Sequence, residues 1–190
     1  MIEIKRLDFE TLKSICHTQM PLDFPAAEIK PFPIIERLYK KGLYIGYGLY
    51  EGQALLGYAL FCSTSDQRYI LLDYLAVLQT HRCGGYGSQF LALLKQSLSS
   101  YACLLLEVED DDYAQTKDEL ELRQRRIGFY IRNDIHMSAV RSFVYGCRFK
   151  IMYTPLAEPV NDDNVYDALH AVYHTLFSRK QFVQNAEISI

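Results

Sequence analysis

A chain of 190 residues with 23 acidic and 20 basic side chains carries a formal charge of −3 and no basic stripe, which excludes the field that tracks a nucleic-acid backbone. Its length suits one domain with a core large enough to stand without staples. The five cysteines, Cys16, Cys62, Cys83, Cys103 and Cys147, are odd in number and never form a CxxC pair; they read as reduced thiols rather than a disulfide framework or a zinc knuckle.

The opening residues MIEIKRLDFE bring charges and a strand-like alternation in place of an apolar signal core. No later run approaches the roughly 18 apolar residues of a membrane span. The expectation is a soluble, cytoplasmic protein. After the first strand, FETLKSICHTQM returns apolar residues at helical spacing until Pro21 stops it. The segment from Pro21 to Gly42 holds four prolines, so it starts as an irregular loop that ends in a short helix. This loop is expected to be the one most open to a ligand, with Glu28 as a candidate lining residue.

LYIGYGLYEG, QALLGYALFCS and RYILLDYLAVL follow, three tyrosine- and aliphatic-rich runs that read as an antiparallel meander. Behind them comes HRCGGYG, then Leu91, Leu94, Leu98 and Tyr101 at helical spacing, then the buried-strand run ACLLLEVE. Strand, loop, helix and strand in that order make a crossover with parallel neighbours. Thr116 and Glu119 have capping-box spacing, and Leu120, Ile127 and Ile131 share one face of the helix they begin. MSAVRSFVYG and CRFKIMYTPL form a hairpin about Gly146, and an Asn/Asp cluster starts a C-terminal helix within residues 160–190. No internal repeat or linker interrupts the chain.

A glycine-rich turn before a helix presents unpaired amides to an anion. The P-loop is excluded because no lysine followed by serine or threonine closes this glycine loop, and the dinucleotide motif because Phe90 stands where its last glycine belongs. Arg82-Cys83-Gly84-Gly85-Tyr86-Gly87 instead fits R/Q-x-x-G-x-G/A, and with it the chain resembles the GNAT acetyltransferase superfamily over residues 43–153. YLAVL resembles that family's central strand, SQFLALL its helix, and RRIGFYIRN a later helix ending in tyrosine.

The resemblance implies an α/β fold of the α+β type: a mixed, mostly antiparallel sheet flanked by helices, with strands 4 and 5 splayed. It implies one domain over residues 1–190, the last 30 or so a helical extension. Acetyl-CoA would be the cosubstrate, its pyrophosphate on the amides of Arg82, Cys83, Gly84, Gly85, Tyr86, Gly87 and Ser88, its pantetheine arm on the backbone of Ala76 and Val77. Tyr130 would protonate the departing thiolate. On the helical wheel it lies beside Arg123 and Arg126, at the edge of the apolar face. Those arginines stand where the family usually has asparagine, and Asn133-Asp134 replaces its glycine-phenylalanine ending.

A base is also needed to neutralise an attacking amine, and strand carboxylates are the candidates: Glu107 and Asp73, with Glu109 behind them. A charge within ILLDYLAV or LLLEVE must be hydrogen-bonded or at a cleft. Asp110, Asp111 and Asp112 read as a solvated turn. His170 and His174 are four apart but have no third ligand, so no metal is assigned. Cys83 reads as a passive loop residue.

Together these point to an N-acetyltransferase carrying acetyl from acetyl-CoA to a primary amine, small-molecule or peptide, by direct attack in a ternary complex. The tail helix is a candidate dimer surface. The alternative is a catalytically silent acyl-CoA-binding or regulatory module on the same fold, which needs the loop but no acid or base.

Overall fold

The computed structural model describes the whole chain, Met1–Ile190. Its eight strands belong to a mixed, mostly antiparallel sheet flanked by helices, as expected from the sequence. The chain divides into two compact units, Met1–Cys62 with Leu72–Ser97, and Ser63–Leu71 with Leu98–Ile190. No helix is long and apolar enough to cross a membrane.

The first unit opens with β1 (Ile2–Arg6) and α1 (Phe9–Thr18). Asp8 starts α1 by accepting from the Thr11 amide at 2.8 Å, and Leu12, Ile15 and Cys16 are its buried face. Pro21 does not only end this helix: it occupies the first turn of α2 (Met20–Asp23), where its missing N–H costs nothing. α3 (Phe32–Lys40) closes the proline-rich segment and buries Ile35 and Leu38. β1 pairs antiparallel with β2 (Tyr44–Glu51), and β2 pairs antiparallel with β3 (Ala54–Ser63), the register slipping between Leu49 and Tyr50. β4 (Tyr69–Val77) follows β3 in the sheet order, and α4 (Tyr86–Ser97) buries Phe90, Leu91 and Leu94.

In the second unit the order is β5 (Cys103–Glu109), β7 (Cys147–Pro155), β6 (His136–Val144) and β8 (Ala186–Ser189). All three pairings are antiparallel, and β6 and β7 turn back on each other at Tyr145 and Gly146, as the hairpin reading expects. α5 (Lys117–Ile131) begins at Thr116, whose hydroxyl accepts from the Glu119 amide. The Glu119 carboxylate reaches back to the amide of Gln115, one residue earlier than a capping box would place it. Asn161 and Asn164 cap α6 (Asp162–Leu176) reciprocally. The tail is not wholly helical: Ser178 caps a second short helix, α7 (Arg179–Asn185), and β8 ends the sheet beside β6. The β-branched and charged alternation of AEIS suits an edge strand, a signal too short to read against the helical pattern before it.

One backbone approach in the first unit leaves no room for a side chain. A Cβ on Gly57 in β3 would stand 2.6 Å from the carbonyl oxygen of Ala76 and 3.2 Å from the Val77 Cα, backbone atoms that cannot move aside cheaply. Gly57→Ala should therefore lower the urea midpoint without changing the slope, a loss of about 1–3 kcal/mol; an unchanged midpoint would show that β4 relaxes away from β3.

Candidate active site

Behind Val77 the chain makes one tight turn (Gln79–His81), leaves it extended at Arg82, and passes through the left-handed region at Cys83 (φ 68°) and Gly85 (φ 76°) before α4 starts. Only glycine adopts such a φ without cost, so Gly85 fits and Cys83 is strained. A Cβ on Gly84 would press on the Tyr86 ring at 2.8 Å. The backbone amides of Cys83, Gly84, Gly85, Tyr86, Gly87 and Ser88 have no acceptor in the chain, and the first bond back into the loop runs from the Gln89 amide to the Gly85 carbonyl at 3.3 Å. No acidic residue stands in the first turn of α4. Open amides at the positive end of a helix, without a carboxylate to fill them, form a phosphate-accepting geometry.

Arg82 does not extend into this cradle. Its Nε donates to the Val77 carbonyl at 3.0 Å and its Nη2 to Asp23 at 2.8 Å. Asp23, in α2, is 3% exposed and also accepts from the Tyr58 hydroxyl at 3.0 Å. Burial, followed by the charge of Asp23, raises the Tyr58 hydroxyl far above the ordinary tyrosine range, so it remains a donor. Asp23 was not legible as a site residue, since an acid between two prolines looks like loop surface.

Asp73 lies on the same strand face as Leu75 and Val77, as expected from the alternation, while Ala76 faces the other way and is buried. Its side chain is 4% exposed and takes the Lys30 ammonium at 2.5 Å and the Tyr44 hydroxyl at 2.6 Å. The next residue, Tyr74, accepts from the Lys30 amide and donates to the Glu28 carbonyl, both at 2.8 Å, with Phe24 edge-on to its ring. The proline-rich segment is therefore pinned to β4 although Pro25 to Glu28 stay exposed, and Glu28 takes part in this contact through its backbone. Burial pushes Tyr74 up to about 12, and Cys16 to about 11, with the Asp73 charge adding to both.

In the second unit Glu107 accepts from the hydroxyls of Tyr173 in α6 and Ser142 in β6, which also bond each other at 2.9 Å. Tyr173 is raised well above its ordinary pKa by burial and by Glu107. These two partners come from 35 and 66 residues away and no local pattern announces them. Glu109 pairs with Arg123 and Arg126, each at 3.3 Å, and Arg123 also holds Glu119 at 2.5 Å and the Asp110 carbonyl at 2.6 Å.

Tyr130 lies in the last turn of α5, half-buried, its ring 5.3 Å from Phe129. Burial pushes its hydroxyl up to about 12 against the opposing charge of Arg126. The expected apolar face of α5 is not buried: no residue of the helix is, and Ile131 is 54% exposed. The Arg123 network anchors the helix instead.

Asp110, Asp111 and Asp112 are not a merely solvated turn. Asp110 is buried, and Lys150 Nζ stands 3.2, 2.7 and 2.8 Å from the three carboxylates. Val108 pairs with Lys150 across β5 and β7, and this register delivers the ammonium to the turn. His170 and His174 stack on Phe182 with ring centroids 5.5 and 5.0 Å away, joining α6 to α7. Cys83 and Cys147 are exposed, the other thiols are buried, and none forms a disulfide.

A strand, a glycine turn and a helix with open amides, set in a mixed sheet, make a strand-turn-helix unit able to accept a phosphate. The family model described as the acetyltransferase (GNAT) family matches residues 10–117. The chain belongs to that family. Among solved structures it is similar to a GNAT-family protein from Bacteroides thetaiotaomicron, at 15% identity and TM-score 0.71 over 91% of this chain and 96% of that one. It is also similar to the ribosomal-protein-S18-alanine N-acetyltransferase of Escherichia coli, at 19% identity and TM-score 0.58 over 84% and 97%. A Bacillus subtilis acetyltransferase in complex with CoA matches at 13% identity and TM-score 0.57 over 82% and 99%. No curated protein matches the sequence.

The Lys150 cluster gives a pH-dependent expectation. For Asp111, burial raises the pKa, but the Lys150 hydrogen bond and other favourable contacts outweigh it, leaving a value below the ordinary 3.8. Stability from such a group is full above the unfolded pKa and is lost as pH falls through the folded one. Lys150→Met should cost about 3–5 kcal/mol at pH 7, because Asp110 is left buried and unpaired. The gap to wild type should shrink as pH falls below about 4. Urea titrations at pH 7 and pH 3 check this, and a gap constant with pH would rule out the ion-pair origin.

Proposed function

We propose that the chain is an N-acetyltransferase that moves acetyl from acetyl-CoA directly to a primary amine in a ternary complex, the whole chain serving as one acetyltransferase domain. The observation that carries this reading is the unbroken run of amides from Cys83 to Ser88 with no acceptor in the chain, in a loop of the family's spacing. The pyrophosphate would accept from these amides, and the pantetheine arm would lie along the backbone of Ala76 and Val77. The CoA of the Bacillus subtilis neighbour and the alanine acceptor named for the Escherichia coli neighbour support the donor and the amine class.

In the step proposed, the amine nitrogen attacks the thioester carbonyl and the new C–N bond gives a tetrahedral intermediate. Glu107, directly or through water, takes the amine proton. The C–S bond then breaks, and Tyr130 gives its proton to the thiolate. A phenol with a pKa near 12 is protonated throughout the working range, as an acid must be. Glu107 accepts from two hydroxyls, whereas the two oxygens of Asp73 hold an ammonium and a phenol that tie down a distant segment. We assign Asp73 the role of securing the segment before α3.

A thermal-shift titration with CoA and acetyl-CoA should raise the melting temperature, and the absence of any shift would sink the proposal. Gly87→Glu should abolish the shift by setting a negative side chain against the phosphates. Tyr130→Phe and Glu107→Gln should keep it and lower kcat by about 10²-fold or more, read as thiol release across an amine panel. Tyr130 should add no alkaline limb to the wild-type rate below about pH 10. CoA binding without turnover on any amine would favour the silent module instead.

A further inference from the structure

The family pattern places a cation at the mouth of the loop, where it is natural to give it to the phosphates. The hydrogen bonds of Arg82 assign it otherwise. One guanidinium joins three pieces of chain: the end of β4 through the Val77 carbonyl, α2 through Asp23, and the loop through its own backbone. Asp23 is 3% exposed, and a carboxylate so removed from water requires its partners. It has two, on different oxygens: Tyr58 on Oδ2 and Arg82 on Oδ1. The Gln79 side chain adds a bond to the Leu22 carbonyl at 3.3 Å, so α2 meets the turn before the loop at two points.

Resting on the reading of the loop as a pyrophosphate site, we propose that Asp23 is a positioning residue for it. Fixed by Tyr58, Asp23 holds Arg82 back, and the Arg82 backbone then sets the direction from which Cys83 to Ser88 present their amides. Arg82 acts as a brace, and the amides with the helix end do the binding. The proposal separates from its rival by sign. If Arg82 were a phosphate ligand restrained by Asp23, removing the carboxylate charge would release the cation to the phosphates and tighten binding. If Arg82 is a brace, the same change loosens the loop and weakens binding.

Isothermal titration of wild type, Asp23→Asn, Arg82→Gln and the double variant with CoA tests this, with pantetheine, which carries no pyrophosphate, as the second probe. Asp23→Asn is expected to weaken CoA by about tenfold, the typical loss when a preorganised site is loosened, and to leave pantetheine affinity unchanged. The double variant is expected to bind as the weaker single does, because both changes break one contact. Tighter or unchanged CoA binding in Asp23→Asn, or equal losses for CoA and pantetheine, overturns the brace. Tyr58→Phe, which removes only the second donor, provides the same comparison if Asp23→Asn fails to fold, with a smaller CoA-selective loss expected and no loss overturning it. Wild type that binds no CoA would instead defeat the reading of the loop, and the brace with it.

Discussion

A carboxylate taken out of water must find donors, and in the first unit two such groups decide where distant chain goes. Asp73 sits inside the apolar run of β4, and the donors it finds are the Lys30 ammonium and the Tyr44 hydroxyl. Asp23 finds Tyr58 and Arg82. The residues between Asp23 and Lys30, Phe24 to Ile29, contain little that could fold alone: one short helical turn (Ala26–Glu28) and a proline. Ordering this stretch costs conformational entropy, and contacts at both of its ends with β4 and the loop behind it offset that cost. The phenols taking part are kept neutral by burial, so each remains a donor at any working pH and no second buried charge arises.

The same constraint explains why the glycine loop can be strained and still well placed. Cys83 and Gly85 take left-handed φ values, and nothing in the chain accepts from the six amides that follow Arg82. Such a turn gains little from its own bonds. Its geometry is imposed from outside, by Gly57 allowing β3 close to Ala76 and Val77 on one side and by the guanidinium of Arg82 on the other. A rigid loop that leaves its own donors unpaired is prepared for an acceptor that comes from elsewhere.

What the sequence revealed and what it hid divide along the range of the interactions. The strands from β1 to β7, the caps at Thr116 and Asn161 and the hairpin at Gly146 are local: each is written in residues within a few positions of one another, and each was legible, as was the order of elements that makes the crossover. The loop was legible because its spacing is a local pattern as well. The partners of Asp73, Glu107 and Asp23 lie 29 to 66 residues away, and no periodicity connects them. β8 was hidden because four residues after a helix carry too little alternation. α5 misled for another reason. Leu120, Ile127 and Ile131 have the spacing of a buried stripe, but the helix also carries Arg123, Arg126 and Glu119, and the ion pairs and carbonyl bond of Arg123 hold it without that stripe going under.

That difference in anchoring bears on Tyr130. A helix held by an apolar face resists salt, whereas one held by partly exposed ion pairs weakens as ionic strength rises. Glu109, Arg126 and Glu119 are all partly open to solvent, and no side chain of α5 is fully buried. Tyr130 is nevertheless tied in a second way, since its carbonyl accepts from the amides of Asn133 and Ile135, the latter buried. The C-terminal turn that carries the phenol is thus fastened to the start of the next strand by backbone bonds, while the N-terminal turns depend on charge. The last turn should be the part of α5 that salt disturbs least, which suits the role of proton donor proposed for Tyr130.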